Sequence, residues 1–280
     1  MLANSNEIFT LWVGPPNELM ILCIRSWLKL GYKLKLYCDD LNEDKLQYIF
    51  RKDKENIAFL NYNIVKLNSD ITNIQAQSDL WRFEFLYKFG GTWLDADMFL
   101  LKRLPEKEII ISSEHTCQKG AYKTLNRTSV PNIGVLRFPP NHELMKLSVN
   151  QKINWHSTSK LNCLMLKYQK ILRANNHWMN FVVEPNVFCP VSWSNVKELY
   201  YSNQIPDNKY GIKQLTKNEI LAESIGVHLW NNFTYNKHKI EFSKVNPASL
   251  FRKLQEYPNH TVIPDAQPLK KEKKQVTIEF

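Results

Sequence analysis

The chain reads as an α/β fold with a Rossmann-like, mostly parallel central sheet flanked by helices, and three observations point to it. The first is the opening order of strand, helix, strand: an apolar run at 8–13 (IFTLWV), a helical pattern at 18–30, and an alternating run at 33–37. The second is a helix, a stop and a strand in close succession at 76–101, AQSDLWRFEFLYKFGGTWLDADMFLL. The third is size: 280 residues, 44% hydrophobic and 12% aromatic, are enough for one large core.

Each element has a local reason. The first strand is closed by Gly14-Pro15-Pro16, a turn signal. The helix at 18–30 ends at Gly31, and the second strand ends at Cys38-Asp39-Asp40. In an open parallel sheet ligands collect at the strand carboxyl ends, so Asp39 and Asp40 form either an exposed turn or part of a ligand site, near a ribose. A helix is expected over 41–50 and a third strand over 64–67. The helix at 76–89 carries Leu80, Phe83 and Tyr87 on one stripe, and Gly90-Gly91 stops it by taking a left-handed conformation. Residues 92–101 are β-branched, aromatic and aliphatic, and read as a buried strand. Further strands are expected at 108–112 and 132–136, a helix after Pro139-Pro140-Asn141-His142, and a helical stretch at 155–172. An apolar strand at 226–232 follows. One domain over 1–263 is expected, its halves meeting at 104/105, with a polar, lysine-rich tail at 264–280 that includes Lys270, Lys271, Lys273 and Lys274.

Net charge is +10, which favours anionic partners such as a nucleotide diphosphate. The positive residues are scattered and do not interleave with aromatics, so nucleic acid is not an expected partner. The five cysteines, Cys23, Cys38, Cys117, Cys163 and Cys189, are odd in number and lack a C-x-x-C, which favours free thiols in a reducing compartment. Glu18, Arg25 and Lys29 border or interrupt the early apolar run, so neither a signal peptide nor a membrane span is expected, and a cytoplasmic location follows. The N-x-Thr sequons at Asn126, Asn232 and Asn259 carry little weight without a secretory signal.

The chemistry concentrates in two places. Asp95 and Asp97 interrupt an apolar strand, and side chains two apart on a strand share a face. Unpaired carboxylates are costly there, and a divalent cation with its preference for oxygen ligands removes that cost. Asp79 and Arg82, three apart, share one face of the preceding helix, as a site pair or as an intrahelical salt bridge. The second place is His228, a lone histidine in an apolar strand.

Together these segments resemble the D-x-D sugar transferases of the GT-A fold, which include α-1,4-galactosyl- and N-acetylglucosaminyltransferases. The resemblance rests on D-x-x-R at Asp79 and Arg82, then Gly90-Gly91, an aromatic, and D-x-D at 95–97. It extends to Trp12-Val13-Gly14 at the first strand end and His228-Leu229-Trp230-Asn231 near the C-terminus, covering roughly 8–235. The lines FVVEP at 181–185 and Phe188-Cys189-Pro190 are similar to the family's late strand and its following turn. The resemblance implies that Trp12, Val13 and Gly14 hold the nucleotide base, and that Asp79 bonds to ribose or sugar. It implies that Arg82 holds sugar hydroxyls and that Asp95, Ala96 and Asp97 lie along the nucleotide and its metal. Asp95, Asp97 and His228 would hold Mn²⁺ or Mg²⁺, with Trp230 and Asn231 on the diphosphate. Asp95 alternatively meets the ribose, or the metal through water. An imidazole ligand favours Mn²⁺. On this resemblance Asp79, Arg82, Asp95 and Asp97 serve catalysis, and the partners are a UDP-linked sugar and a glycan acceptor.

The resemblance fades at 114–127 and 195–223, where acceptor specificity would reside. The motifs, length and expected lack of an anchor are also similar to virus-encoded xylosyltransferases of capsid N-glycans, which implies UDP-xylose as donor and N-glycan synthesis as the role. Retention and inversion both stay open. Inversion would need a base, for which Glu114, His115 and Asp207 are the candidates. A nucleotide-sugar hydrolase and a non-catalytic carbohydrate-binding protein are the competing classes.

Overall fold

The computed structural model describes residues 6–62, 74–115, 129–151, 160–206 and 215–257. Its first unit follows the expected order. β1 (Glu7–Trp12) leads into α1 (Glu18–Lys29), whose N-terminus is capped by the Asn17 side chain accepting from the Met20 N–H at 3.0 Å. β2 (Lys33–Cys38) and α2 (Asp40–Ile49) come next. β1 pairs in parallel with β2, and β2 in parallel with β3 (Ile57–Asn61). β3 was not expected from sequence, and the strand expected at 64–67 lies outside the described residues. In β3 only Ile57 is fully buried, so the strand shows little of the alternation that would reveal it.

α3 (Ile74–Phe89) runs to the expected stop. Gly90 and Gly91 both have positive φ, and a side chain at Gly90 would put its Cβ 2.6 Å from the Pro140 nitrogen. β4 (Gly91–Leu94) then enters the sheet parallel to β1. The single strand expected over 92–101 is in fact two: the chain turns at 95–97 and resumes as β5 (Met98–Leu100) in a different sheet. β6 (Ile110–His115) and β7 (Ser129–Phe138) complete the main sheet, in the order β3-β2-β1-β4-β7-β6. β7 is antiparallel to both β4 and β6, so it alone opposes the common direction.

α4 (Glu143–Val149), α5 (Lys160–Ala174) and α6 (Asn176–Met179) follow. The strand expected at 181–185 is reduced to one bridge, Val182 to Ile111, because Pro185 starts α7 (Pro185–Phe188). α8 (Val196–Tyr201), α9 (Lys217–Glu223), β8 (Gly226–His228) and α10 (Leu250–Gln255) end the described chain.

The core lies on both faces of the main sheet. On one face Ile8 and Leu94 pack with Leu19, Cys23 and Trp27 of α1, and with Phe188, Tyr200 and Phe251 from the C-terminal helices. On the other, Phe9, Leu11 and Trp93 pack with Trp81 and Phe83 of α3 and with Tyr168 of α5. Trp27 is fully buried, a change that stabilises by about 1.5–3 kcal/mol or more for a side chain this large. Its indole N–H also donates to the Met98 carbonyl at 2.7 Å, and the Leu100 N–H donates to Ser26 Oγ at 2.9 Å. α1 therefore anchors β5, the strand that leaves the D-x-D turn.

Candidate active site

The site forms where β4 stops pairing with β1 and the chain swings towards β8. Asp95 still belongs to the sheet through its N–H, which donates to the Gly134 carbonyl at 2.8 Å. The Met98 N–H then donates to the Asp95 carbonyl at 2.9 Å and closes the turn. β5 pairs antiparallel with β8 in a register that sets Met98 opposite His228. That register brings the His228 ring to Asp97. The two carboxylates thus share a site through a turn and a strand pairing, and not through a common strand face.

Asp95 is fixed from behind. Its Oδ1 accepts from Arg82 Nη1 and from Trp93 Nε1, both at 2.8 Å. Arg82 also donates to the Ile133 carbonyl at 2.7 Å, pairs with Asp79 at 2.8 Å, and lies over the Trp93 ring at 4.6 Å. Its side chain is 6% exposed, so the guanidinium serves the protein, clamping Asp79 and Asp95. Asp79 is likewise buried in the clamp. Burial pushes the Asp79 carboxyl up to about 7 against the pull of Arg82, with Asp95 adding to the rise. Burial also raises Asp95, opposed by Arg82 and reinforced by the Asp97 charge.

Asp97 is held from the other side. Its Oδ1 lies 3.1 Å from His228 Nε2, and its Oδ2 accepts from the Asn231 N–H at 2.7 Å. Burial alone would raise the Asp97 carboxyl, but the His228 charge and these hydrogen bonds outweigh it and hold it below the usual 3.8. Burial alone would lower His228, but Asp97 outweighs that and lifts it well above 6.5. The two form a buried ion pair. Trp230 stacks on the His228 ring at 4.0 Å and donates its indole N–H to the Val191 carbonyl at 2.9 Å. Trp230 is 8% exposed, and its ring backs the histidine. Its φ of 54° is unusual for a large residue and costs on the order of 1–2 kcal/mol, offset by the burial of the indole.

Ligand atoms of Asp95, Asp97 and His228 all lie within 4.8 Å of one another. Gly134 gives them room: a Cβ there would sit 3.4 Å from Asp95 Oδ2 and 3.7 Å from His228 Cε1. Two hard carboxylates and one imidazole, converging on a cradle that a methyl group would fill, fit a divalent cation such as Mn²⁺. Protonated His228 has no lone pair at Nε2, so a cation there must displace a proton.

The N-terminal turn joins the same region. Trp12 donates to the Gly14 carbonyl at 3.0 Å, and the Gly14 N–H donates to Asp39 Oδ2 at 2.7 Å. Asp39 therefore shapes the turn that carries Val13, which is 36% exposed. Asp40 hydrogen-bonds to Asn61. Asn17 Nδ2 donates to Asn231 Oδ1 at 2.8 Å, tying this turn to the segment that holds Asp97. Ala96, in the D-x-D turn, is buried. His115 is not in a solvated loop: it ends β6, is 6% exposed and lies 3.1 Å from Asn186 Oδ1. Asp207 lies outside the described residues. Sequence reasoning missed Trp93 and Gly134 as site residues, and the family resemblance placed the Asn132-led strand only near the acceptor side. Trp93 precedes Asp95 by two and so shares its side of the chain, and Asn132 is a polar residue inside an apolar strand; both signals were available.

Among the described residues no helix is long and apolar enough to cross a membrane. Residues 18–116 match the family described as glycosyltransferase sugar-binding region containing DXD motif, and residues 142–257 match the alpha 1,4-glycosyltransferase conserved region. A lactosylceramide 4-alpha-galactosyltransferase of Mus musculus is 26% identical over 184 residues, covering 62% of this chain and 45% of that protein. The chain thus spans less than half of that relative's length. Among solved structures, PaToxG Glycosyltransferase aligns with a TM-score of 0.43 at 15% identity, over 62% of this chain and 73% of that one. A 4-diphosphocytidyl-2C-methyl-D-erythritol synthase from Anaerococcus prevotii aligns at 0.34 and 9% identity, over 65% and 88%. The two sequence matches together take in both aspartates of the D-x-D turn and the His228 strand, so each half of the chain is similar to a glycosyltransferase family.

Proposed function

We propose that the chain transfers a sugar from a UDP-linked donor to a hydroxyl of a glycan acceptor, with Asp95, Asp97 and His228 holding Mn²⁺. The observation that carries this reading is the convergence of those three side chains, from segments far apart in sequence, within 4.8 Å. A bound cation would neutralise the negative charge that gathers on the diphosphate as the C1–O bond breaks. The protein's own groups do the rest. Arg82 and Trp93 orient Asp95, the Asn231 N–H and His228 orient Asp97, and Trp230 keeps the imidazole in place. His228 gives up its proton when the site is filled. The turn at Trp12, Val13 and Gly14 lies at the carboxyl end of β1, the side where open α/β sheets take their ligands, and is assigned to the nucleotide base.

The catalytic unit is assigned to 1–263. The preferred donor is UDP-xylose and the product an N-glycan, an assignment that rests on the resemblance to viral xylosyltransferases. Xylose lacks the hydroxymethyl group of glucose, and a pocket shaped to it excludes the larger sugar. Thermal shift with UDP tests the core of this reading, because ligand at about 100 times its Kd stabilises by about 2.7 kcal/mol. UDP should raise Tm with Mn²⁺ and not with EDTA. UDP binding that survives EDTA overturns the metal assignment, and faster transfer from UDP-glucose than from UDP-xylose overturns the donor.

A further inference from the structure

Glu114 lies one residue from the end of β6, on the strand that borders β7. It is a partly buried carboxylate with very little holding it. Its one hydrogen bond among the described residues comes from Asn132 Nδ2 at 3.4 Å, and no described cation lies within ion-pair distance. Burial raises its carboxyl above the ordinary value, partly offset by His228 and Asn132. A charge so poorly satisfied is costly, and it calls for a partner that the described residues do not supply.

The residue that faces it is not free to turn. The Val135 N–H donates to Ser112 Oγ at 2.9 Å, so the Ser112 hydroxyl proton points to Asn132 Oδ1. Oδ1 also accepts from the Gly134 N–H at 3.2 Å. With Oδ1 doubly occupied, the Asn132 amide nitrogen is forced outward, to Glu114 and to Cys189 Sγ at 3.3 Å. Cys189 Sγ in turn lies 3.9 Å from His228 Nδ1. The position a Cβ would take at Gly134 has Asp95 Oδ2, Asn132 Oδ1 and His228 Cε1 all within 3.7 Å. Asn132 is thus the wall between the carboxylate–imidazole triad and Glu114.

We infer that Glu114 is a substrate-binding residue: aimed by Asn132, its carboxylate accepts a hydrogen bond from a sugar hydroxyl at the edge of the triad. A hydroxyl is the fitting ligand because it donates one proton to a carboxylate without adding charge beside Asp95 and Asp97. The hydroxyl belongs either to the transferred sugar or to the acceptor. This inference rests on the glycosyltransferase reading above.

Glu114→Gln keeps the shape and removes the charge. The variant should keep wild-type Tm and Mn²⁺-dependent UDP binding, and lose about ten- to hundredfold in transfer, the range expected for a hydrogen bond to a charged group. If the hydroxyl is on the donor sugar, donor KM rises and acceptor-free hydrolysis falls together with transfer. If it is on the acceptor, acceptor KM rises and hydrolysis stays at the wild-type rate. Unchanged kinetic constants, or a loss of UDP binding equal to the loss of transfer, overturn the inference. A wild type that binds no UDP with Mn²⁺ instead overturns the parent reading, so the two failures are distinct.

Discussion

Replacing Asp97 by Asn separates two roles of that carboxylate, one in the empty site and one in the filled site. In the empty site Asp97 is satisfied: Oδ1 meets His228 Nε2 at 3.1 Å and Oδ2 accepts the Asn231 N–H. At an effective dielectric near 20 the gross attraction at that distance is about 5 kcal/mol. Most of it is offset by desolvation, and an Asn in place still accepts from Asn231, while His228 can shed its proton. A net cost of about 2 kcal/mol remains, typical of a hydrogen bond to a charged group. For 280 residues, at about 2.1 cal/mol/K each, this lowers Tm by roughly 3–4 °C. The pH dependence follows from both partners. The depressed Asp97 contributes above its ordinary 3.8 and loses that contribution as pH falls through its folded value. The raised His228 contributes below its ordinary 6.5 and loses it as pH rises through its folded value. The gap between wild type and variant should therefore be widest between 3.8 and 6.5. Differential scanning fluorimetry in EDTA at several pH values is the assay. A variant that melts at or above the wild type at pH 5.5 refutes the reasoning, because two unneutralised carboxylates would then dominate the empty site. Adding Mn²⁺ and UDP should stabilise the wild type and leave Asp97→Asn almost unmoved.

Gly134→Ala should fold normally, since 3.4 Å to Asp95 Oδ2 is ordinary contact, yet weaken Mn²⁺ binding about tenfold in a titration by narrowing the cradle. Arg82→Lys loses the fork that joins Asp79, Asp95 and the Ile133 carbonyl, and should lower stability by about 2–3 kcal/mol, read as a fall in urea midpoint at constant slope. Because His228 must release a proton, Mn²⁺ affinity should rise with pH below the folded His228 value, and calorimetry in buffers of different ionisation enthalpy should find about one proton released. Gly90→Ala forces a Cβ to within 2.6 Å of Pro140 N in a left-handed conformation, and should cost at least about 2 kcal/mol in equilibrium denaturation.

The parts of the fold that show periodicity were legible. The unit β1-α1-β2, the stop at Gly90-Gly91 and the acidic pair Asp95 and Asp97 could be read from pattern and spacing, while His228 joined them only through the family resemblance. What could not be read depends on contacts between distant segments. The apolar run at 92–101 is uniform enough to look like one strand, and only the pairing of Met98 with His228 explains why it breaks at the aspartates. Likewise Arg82 and Asp79 are neighbours on any helix, but Trp93 and the Ile133 carbonyl, which turn the pair inward, come from β4 and β7. β3 escaped because only Ile57 is buried and the residues after Ala58 are all half-buried, which gives no period.

The β5–β8 pairing also has a temporal side. Asp97 and His228 are 131 residues apart in the chain, so a growing polypeptide carries both aspartates long before it carries their third partner. At about 5–20 residues per second, roughly 7–26 s of synthesis separate the two. During that interval β5 has no β8 to pair with, and the aspartates are two acids at the end of a strand. Closing so long a segment costs on the order of 4 kcal/mol in chain entropy, which the buried contacts of α7 to α10 must offset together. Assembly of the Asp95, Asp97 and His228 cluster is therefore an all-or-none property of the finished fold: a nascent or C-terminally clipped chain can hold nearly all of the main sheet and still lack the third side chain of the cluster.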